Sequence, residues 1–255
     1  MKFKDSVVTV ILPVYNASKF LPECLASLKE QTYQDLQIIA IDDHSRDESL
    51  AILKTYKKQF KNLEIYSNKK RYGLAICYNR ALKQAQGRFI AFMNPNDVNA
   101  ISRFKRQVNF LVNNPKTVAV GTQFTSINEN NKKLERSSLP ENNGEIYNNL
   151  LPASPLHPET VMVDRMMLPK DLLYFKPKKY PLVFTEVFVK FFQYGQVANI
   201  AQSLYFHREG VKRHGRNQSR VQQFVSMMRV WLTSRANHEY RPRLRTSLPA
   251  MLKNA

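Results

Sequence analysis

The chain has 255 residues, 43% of them hydrophobic, and a formal net charge of +19. This composition supports a packed core and excludes wholesale disorder, and the length suits one large α/β domain with a modest extension. No run of about 18 apolar residues occurs, so the sequence predicts no transmembrane helix. The first residues lack the apolar core of a signal peptide, so we expect a cytosolic protein.

The positive charge is uneven along the chain. Residues 211–255 hold ten Lys or Arg residues against one Glu. Such a field attracts phosphates on nucleotides, nucleic acid or anionic lipid, and charge alone does not choose among them. No recognisable nucleic-acid module accompanies the charge, which makes a nucleic-acid partner the weakest of the three.

We therefore predict a main domain over 1–210 and a basic, partly helical extension over 211–255. One helix in the extension would turn a single apolar face towards the core, formed by Val221, Phe224, Val225, Met228, Trp231 and Leu232. A basic amphipathic helix also suits peripheral contact with an anionic membrane, at its inner face.

The first half of the chain alternates apolar strands with amphipathic helices. Strands are predicted over 7–12, 36–41, 63–66 and 89–93, and helices over 21–31, 45–60, 73–86 and 101–113. Strand–helix alternation with short connections predicts a mostly parallel sheet with helices on both faces.

The second half is less regular. A strand over 118–127 followed by one over 134–138 predicts an antiparallel pair, so the sheet should be mixed. A helix is predicted over 183–194, and two further strands near 197–200 and 204–207.

Polar segments follow three of the predicted strands, at 13–16, 42–45 and 94–97. The carboxyl ends of parallel strands are where open α/β sheets bind ligands. A nucleotide diphosphate needs a carboxylate for a base N–H, aromatic faces and backbone amides for base and ribose, and hard oxygen ligands for a divalent cation. The first strand leads into Pro-Val-Tyr-Asn rather than a glycine-rich turn, which argues against an NAD enzyme.

The carboxylate of the second polar segment is Asp43. Ser45 and Glu48 form a capping-box pattern for the next helix, which leaves Asp43 available for a ligand. Glu186, on the helix predicted over 183–194, is a fourth place where a ligand-site residue could lie.

Several blocks resemble family 2 glycosyltransferases. Residues 10–16, 20–28 and 31–33 resemble the opening of that family, and 38–49 resembles its next block with His44 in place of a glycine. Further similar blocks occur at 73–92, 156–162 and 194–208, so the resemblance covers about residues 6–210.

The resemblance implies an α/β, GT-A-like (Rossmann-like) fold with a mixed, mostly parallel sheet and helices on both faces. It implies a nucleotide-diphosphate sugar as donor, most simply a UDP-sugar, and inverting transfer to a hydroxyl of a glycan or lipid-linked acceptor in cell-surface glycan assembly. A divalent cation, Mg²⁺ or Mn²⁺, would assist. Carried over by position, Asp97 is the metal ligand, Asp43 contacts the base, and the other nucleotide-site residues are Pro13, Tyr15, Asn16 and Asn96.

Three departures from the family pattern bear on activity. Asn94 and Asn96 replace acids, so only Asp97 remains to bind a cation, and binding should be weak. The acidic pair that supplies the family's general base aligns with Val183-Phe184, which makes Glu186, slightly further on, the candidate base. Tyr78 stands where an arginine often precedes the family's asparagine. These departures favour a second interpretation, a relative that binds nucleotide or glycan without turnover.

Overall fold

A computed structural model describes residues 4–153, 155–176, 183–211, 220–238 and 240–242. The remaining parts of the predicted extension, 212–219, 239 and 243–255, lie outside the described residues. Within the described residues the strands are β1 (Lys4–Val14), β2 (Leu36–Asp42), β3 (Leu63–Ser67), β4 (Gly87–Phe92), β5 (Val98–Asn99), β6 (Thr117–Ile127), β7 (Lys133–Arg136), β8 (Met162–Asp164) and β9 (Gln196–Arg208).

The helices surround a single sheet. They are α1 (Leu21–Lys29), α2 (Ser49–Gln59), α3 (Leu74–Gln84), α4 (Arg103–Asn113), α5 (Asn143–Ala153), α6 (Val183–Phe191) and α7 (Arg220–His238), with 3-10 turns at Pro158–Thr160 and Arg165–Met167. Each of the first four follows a strand in the chain, as the alternating sequence pattern predicts.

The sheet has the strand order β3-β2-β1-β4-β8-β6-β9-β5, and β7 pairs with β6. Strands β1 to β4 run parallel to one another, and β6 runs parallel to β9, whereas β8 is antiparallel to both β4 and β6 and β5 is antiparallel to β9. The predicted mixed, mostly parallel sheet is confirmed. The predicted antiparallel pair is confirmed as β6 and β7.

Two apolar clusters cover the two faces of the sheet. Alternate residues of β2 enter different clusters, Ile38 on the side of α1, α2 and α4, and Ile39 on the side of α3, α5, α6 and α7. Because side chains alternate along a strand, a strand buried on both faces reads as a continuous apolar run. This explains the uniformly apolar segments seen in the sequence.

The last part of the sheet differs from the prediction. A single strand, β9, replaces the two short strands expected near 197–200 and 204–207. Thr122 on β6 pairs with Ile200, but the next residue, Gln123, pairs with Ser203. The two extra residues of β9 form a bulge, which interrupts the apolar pattern without ending the strand.

Helix α7 packs on the cluster that also holds α5 and α6, through Val230 and the following Tyr240. The predicted inner face is wrong in part, because Val225 and Leu232 are 57% and 56% exposed. These two residues lie seven apart and therefore share a side of the helix, opposite the side that packs. None of the helices in the described residues is long and apolar enough to cross a membrane.

Candidate functional site

The polar segments predicted at three strand ends lie along one edge of the sheet. Val14, at the end of β1, pairs with Asp42 at the end of β2, and Ile11 of β1 pairs with Phe92 at the end of β4. Because these strands are parallel and adjacent, the loops that follow them all emerge at the carboxyl edge. Pro13 is buried within this pairing and stiffens the end of β1.

Hydrogen bonds join the first two loops. The Asn16 N–H donates to Ser45 Oγ at 3.1 Å, and the Arg46 N–H donates to Asn16 Oδ1 at 2.8 Å. Asn16 has a φ of 47°, a left-handed conformation that asparagine tolerates better than most residues. The loop after β1 is therefore held in place by the loop after β2.

This use of Ser45 makes the predicted capping box wrong. Helix α2 begins at Ser49, whose N–H donates to Asp47 Oδ1 at 3.0 Å, so Asp47 accepts one N–H of the first turn. Instead of capping α2, the Ser45 hydroxyl accepts the hydrogen bond from Asn16 in the neighbouring loop, and these two residues are far apart in the sequence. His44, which replaces the family's glycine, has a φ of 63°, the region that glycine occupies without steric cost.

Asp43 connects the second loop to a third. Its side chain is 1% exposed. Oδ1 accepts hydrogen bonds from Asn68 Nδ2 at 2.6 Å and from the Tyr72 N–H at 2.8 Å, and Oδ2 accepts one from the Gly73 N–H at 2.8 Å. Gly73 has a φ of 88°, which a residue with a side chain would adopt only under strain. Asp43 thus fixes the loop between β3 and α3 against the predicted base-binding edge.

That third loop carries a residue that sequence reasoning missed. Arg71 is exposed and its Cζ lies 4.0 Å from the centroid of the Tyr15 ring. A guanidinium over an aromatic face is an attractive arrangement, and both groups suit a nucleotide, one through its ring and one through its charge. The basic run Lys69-Lys70-Arg71, placed between a strand and a glycine, was the signal in the sequence.

Asp97 lies at the same edge but is fully buried. Its Oδ2 accepts a hydrogen bond from the Tyr205 hydroxyl at 2.8 Å, and its Oδ1 accepts one from the Arg208 N–H at 2.9 Å. Both oxygens therefore face the end of β9. Asn96 is nearly buried, and its backbone oxygen accepts from Arg208 Nε at 2.9 Å.

The end of β9 was not singled out by sequence reasoning, although its His-Arg pair lies in a family-like block. His207 Nδ1 is 3.7 Å from Asp97 Oδ2. The Arg208 side chain is 0% exposed, and its guanidinium forms an ion pair with Glu23 Oε2 at 2.7 Å. Arg208 thereby joins the loop at residues 94–97 to α1.

These contacts test how well the site suits a metal. Across the part of the chain that the structure describes, no group of three or more His, Cys, Asp or Glu side chains is arranged to hold a metal ion. The Asp97 carboxylate is the one acid of the motif, and it already accepts two hydrogen bonds. The described residues therefore do not fit a metal site made by protein ligands alone.

An aromatic cluster occupies the sheet face beside this edge. Tyr78 of α3 has its ring centroid 5.4 Å from that of Phe92 and 5.1 Å from that of Phe184 on α6. Phe175 joins them, 5.0 Å from Tyr78. All four rings are almost completely buried. Two of them, Tyr78 and Phe184, stand where the family resemblance predicts a charged residue.

Glu186 lies on a different side of α6. Two residues along a helix turn a side chain by about 200°, so with Phe184 directed into the aromatic cluster, Glu186 is directed away from it. The Glu186 carboxylate forms an ion pair with Lys176, and its side chain is 27% exposed. Its charge also acts on Lys190 and His238, where burial is the main cause of a lowered pKa and Glu186 opposes the shift. The structure therefore brings Asp43 and Tyr15 to neighbouring loops, whereas the ion-pair partner of Glu186 is Lys176, which belongs to neither loop.

Comparisons with known proteins agree with this architecture. The profile of Glycosyl transferase family 2 matches residues 9–169. An uncharacterized glycosyltransferase of Haemophilus influenzae is 30% identical over 160 residues, 62% of each chain. The Escherichia coli protein named UDP-Glc:alpha-D-GlcNAc-diphosphoundecaprenol beta-1,3-glucosyltransferase WfgD is 29% identical over 182 residues, 71% of this chain and 67% of that protein.

A solved structure shares the fold. Residues 1–349 of TarS from S. aureus, in complex with UDP-GlcNAc, superpose with a TM-score of 0.75 at 20% identity, covering 100% of this chain and 71% of TarS 1–349. The match to the Haemophilus protein spans less than two thirds of that relative's length, at 62%. The family profile covers more than half of this chain, and its residues 9–169 include the three loops of the sheet edge. The chain belongs to glycosyl transferase family 2.

Proposed function

We propose that this protein transfers a sugar from a nucleoside diphosphate sugar to an acceptor hydroxyl. The observation that carries the proposal is the connected edge formed by three loops, in which Asp43 positions the loop that places Arg71 over Tyr15. This edge offers an aromatic ring and a cation side by side, at the place where open α/β sheets bind ligands. The TarS complex with UDP-GlcNAc supports a UDP-sugar as donor.

The acceptor is proposed to be a glycan or a lipid-linked glycan in cell-surface assembly, and the transfer to proceed with inversion. The name of the WfgD protein, which acts on a diphosphoundecaprenol-linked sugar, supports this class of acceptor. Inversion needs a base that takes the acceptor proton within hydrogen-bond distance. Glu186 is proposed for that role because it is the acid nearest in sequence to the family's base position.

We propose that a divalent cation binds only together with the nucleotide. Asp97 brings one carboxylate, and its oxygens already accept from Tyr205 and Arg208. Hard cations need about six oxygen ligands, so the diphosphate and water would have to supply most of them. Calorimetry should detect no Mn²⁺ binding to the free protein, and tight binding without nucleotide would contradict this part of the proposal.

Helix α7 is proposed to contact an anionic membrane surface. Val225 and Leu232 are exposed on one side of the helix, and Arg229 and Arg235 are exposed as well. Apolar side chains among arginines suit the boundary between headgroups and acyl chains. The contact would hold the protein at the inner face of the membrane, near a lipid-linked acceptor.

A second candidate function is nucleotide or glycan binding without turnover, and the aromatic cluster favours it. The resemblance predicts the family's base at Phe184 and a phosphate-side arginine at Tyr78, and both positions hold buried rings. A buried ring neither accepts a proton nor balances phosphate charge. On this interpretation the Asp43 edge still binds a nucleotide, and α6 serves only as packing.

One experiment in two stages separates the two candidates. Thermal unfolding is followed with a panel of nucleoside diphosphates and their sugars, because a bound ligand raises the apparent stability. Each donor that raises the midpoint is then incubated with glycan acceptors, and release of nucleoside diphosphate is measured. Binding with transfer supports the transferase, and binding without transfer or hydrolysis across the panel supports the binding protein. A midpoint unchanged by every nucleotide contradicts both.

A further inference from the structure

A large basic cleft lies on the sheet face that carries α3 and α6, and its described lining residues do not include those of the three loops at the carboxyl edge. It has a volume of about 870 Å³. Its cationic lining comes from α3, from the segment around the 3-10 turn at Arg165–Met167, and from the end of α6. The cations are Arg80, Lys83, Arg165, Lys170 and Lys190.

The charge of this lining is poorly balanced. Among the lining residues that the structure describes, Asp171 is the one acid, against those five cations. The nearby Glu186 is already paired with Lys176. Several like charges around one concavity raise the local potential, and a cleft with low-dielectric walls strengthens it further.

Three of the cations are also partly desolvated. Arg80, Arg165 and Lys190 are half-buried rather than fully exposed. Burial lowers the pKa of Arg165 and the pKa of Lys190. The positive charge of the neighbouring Lys176 lowers the pKa of Lys190 further. Holding cations close together and away from water is unfavourable, and an anion in the cleft would relieve both causes.

The walls of the cleft are fixed. Asn79 of α3 donates from Nδ2 to the Phe175 carbonyl oxygen at 2.6 Å and accepts from the Phe175 N–H at 2.9 Å. These two hydrogen bonds hold the segment that bears Lys170 against α3. Arg165 donates to the Ala85 carbonyl oxygen at 3.0 Å, which ties the segment that bears Arg165 to the C-terminal end of α3.

We propose that this cleft binds a phosphodiester-linked glycan chain. Arginine and lysine side chains recognise phosphate oxygens through charge-assisted hydrogen bonds, and five cations suit several phosphates in series rather than one. Among the lining residues that the structure describes, Tyr174 is the one aromatic, so these residues offer no row of rings for nucleobases to stack on. Naming this ligand the acceptor rests on the proposed function, but the binding itself does not.

The test measures binding of a synthetic glycerol-phosphate hexamer to the full chain by calorimetry at low salt, without donor. We expect saturable binding that the double substitution Arg80→Gln, Lys83→Gln weakens about tenfold, because it removes two charge-assisted contacts. The matched control is Lys54→Gln, Lys58→Gln, which removes the same charge from the exposed side of α2 and should change the affinity less than about twofold.

A third variant guards against misfolding as the cause of lost binding. Asp171→Asn removes the acid of the lining, so it should tighten hexamer binding, an effect that damage to the fold does not produce. Inorganic phosphate, a single-stranded oligonucleotide and phosphatidylglycerol vesicles serve as comparison ligands. We expect each to bind more weakly than the hexamer or to be insensitive to the Arg80 and Lys83 substitutions.

The proposal is overturned by hexamer binding that the cleft variants leave unchanged, or by no hexamer binding at low salt. It is also overturned if the oligonucleotide or the vesicles bind as tightly as the hexamer and lose that binding in the same double variant. Because no donor is present, failure of sugar transfer leaves this result untouched. Transfer to uncharged acceptors with no hexamer binding would contradict the cleft proposal alone.

Discussion

Tyr78 and Phe184 are 106 positions apart in the sequence, and their ring centroids lie 5.1 Å apart in the core. The resemblance to the family predicts a charged residue at each of these two positions, so two departures from that expectation meet in one cluster. A charge placed there without a partner would be buried, which is costly. A carboxylate at position 184 and a guanidinium at position 78 would lie close enough to pair, so we expect substitutions at the two positions to interact.

This coupling predicts how substitutions at the two positions combine. Phe184→Asp alone should lower the free energy of unfolding by about 3 kcal/mol or more, because it places an unpaired carboxylate where the side chain is 3% exposed. Adding Tyr78→Arg should recover part of that loss. Urea unfolding of both single variants and the double variant measures the interaction. Additive losses would contradict the coupling.

The contact between Tyr15 and Arg71 predicts how substitutions of these two residues change the affinity for a nucleotide. Arg71→Ala should weaken UDP binding about tenfold, since it removes a cation beside the proposed diphosphate and a partner of the Tyr15 ring. Tyr15→Ala should weaken it similarly. Calorimetry checks both, with Lys54→Ala as a control for loss of charge at an exposed position of α2. Equal affinity in wild type and Arg71→Ala would exclude this residue from the site.

Asp43→Ala is expected to abolish nucleotide binding through the loop that it holds. The substitution leaves the Tyr72 and Gly73 N–H groups without the carboxylate, which should also cost about 1–3 kcal/mol of stability. Calorimetry with UDP and urea unfolding measure the two effects. Unchanged affinity in this variant would remove Asp43 from the nucleotide site.

The reactivity of the Cys77 thiol reports on whether the loop between β3 and α3, which Asp43 holds, has opened. Burial raises the pKa of its thiol to about 12, and the Asp43 carboxylate adds to the shift. At pH 8 roughly one thiol in ten thousand is then ionised, so the native protein should react slowly with a thiol reagent. Asp43→Ala should accelerate the reaction, because it removes a negative charge and exposes the site. A rate equal to that of the wild type would indicate that the loop stays closed.

Glu186→Gln separates a catalytic carboxylate from a surface ion pair. If Glu186 is the general base, the substitution should lower the transfer rate by on the order of 10²–10⁴ while leaving UDP binding unchanged. Lys176→Gln, which removes its ion-pair partner, is the matched control and should reduce the rate far less. A fully active Gln variant would exclude Glu186 as the base and leave it a structural partner of Lys176.

Leu232→Asp tests the membrane contact without removing α7 from the core. Leu232 is 56% exposed, so the substitution should not harm folding, but it should reduce co-sedimentation with phosphatidylglycerol vesicles severalfold. Ile101→Asp, at a residue that is also 56% exposed but lies far from α7 in the fold, is the control. Deleting all residues after 210 would be a poorer test, since Val230 and Tyr240 belong to the core. Equal sedimentation of the wild type and Leu232→Asp would contradict the membrane proposal.

The sequence by itself determined the layered arrangement of this protein, in which helices cover both faces of one sheet. A strand such as β2 is apolar throughout because both its faces are covered, and helices such as α4 repeat apolar residues every three or four positions, so local pattern and final burial coincide. The family resemblance, which the comparisons bear out, likewise depends on short segments that are contiguous in the chain.

The tertiary structure decided which side chains meet. Ser45 matches a helix cap in sequence but accepts from Asn16, and Arg71 lies in an unremarkable basic run yet covers the Tyr15 ring. Phe184 and Glu186 differ by two positions, and only the packing of α6 shows that Phe184 enters the core. Contacts of this kind join residues far apart in the chain, and their geometry depends on loop conformation and helix rotation, which local propensity does not specify.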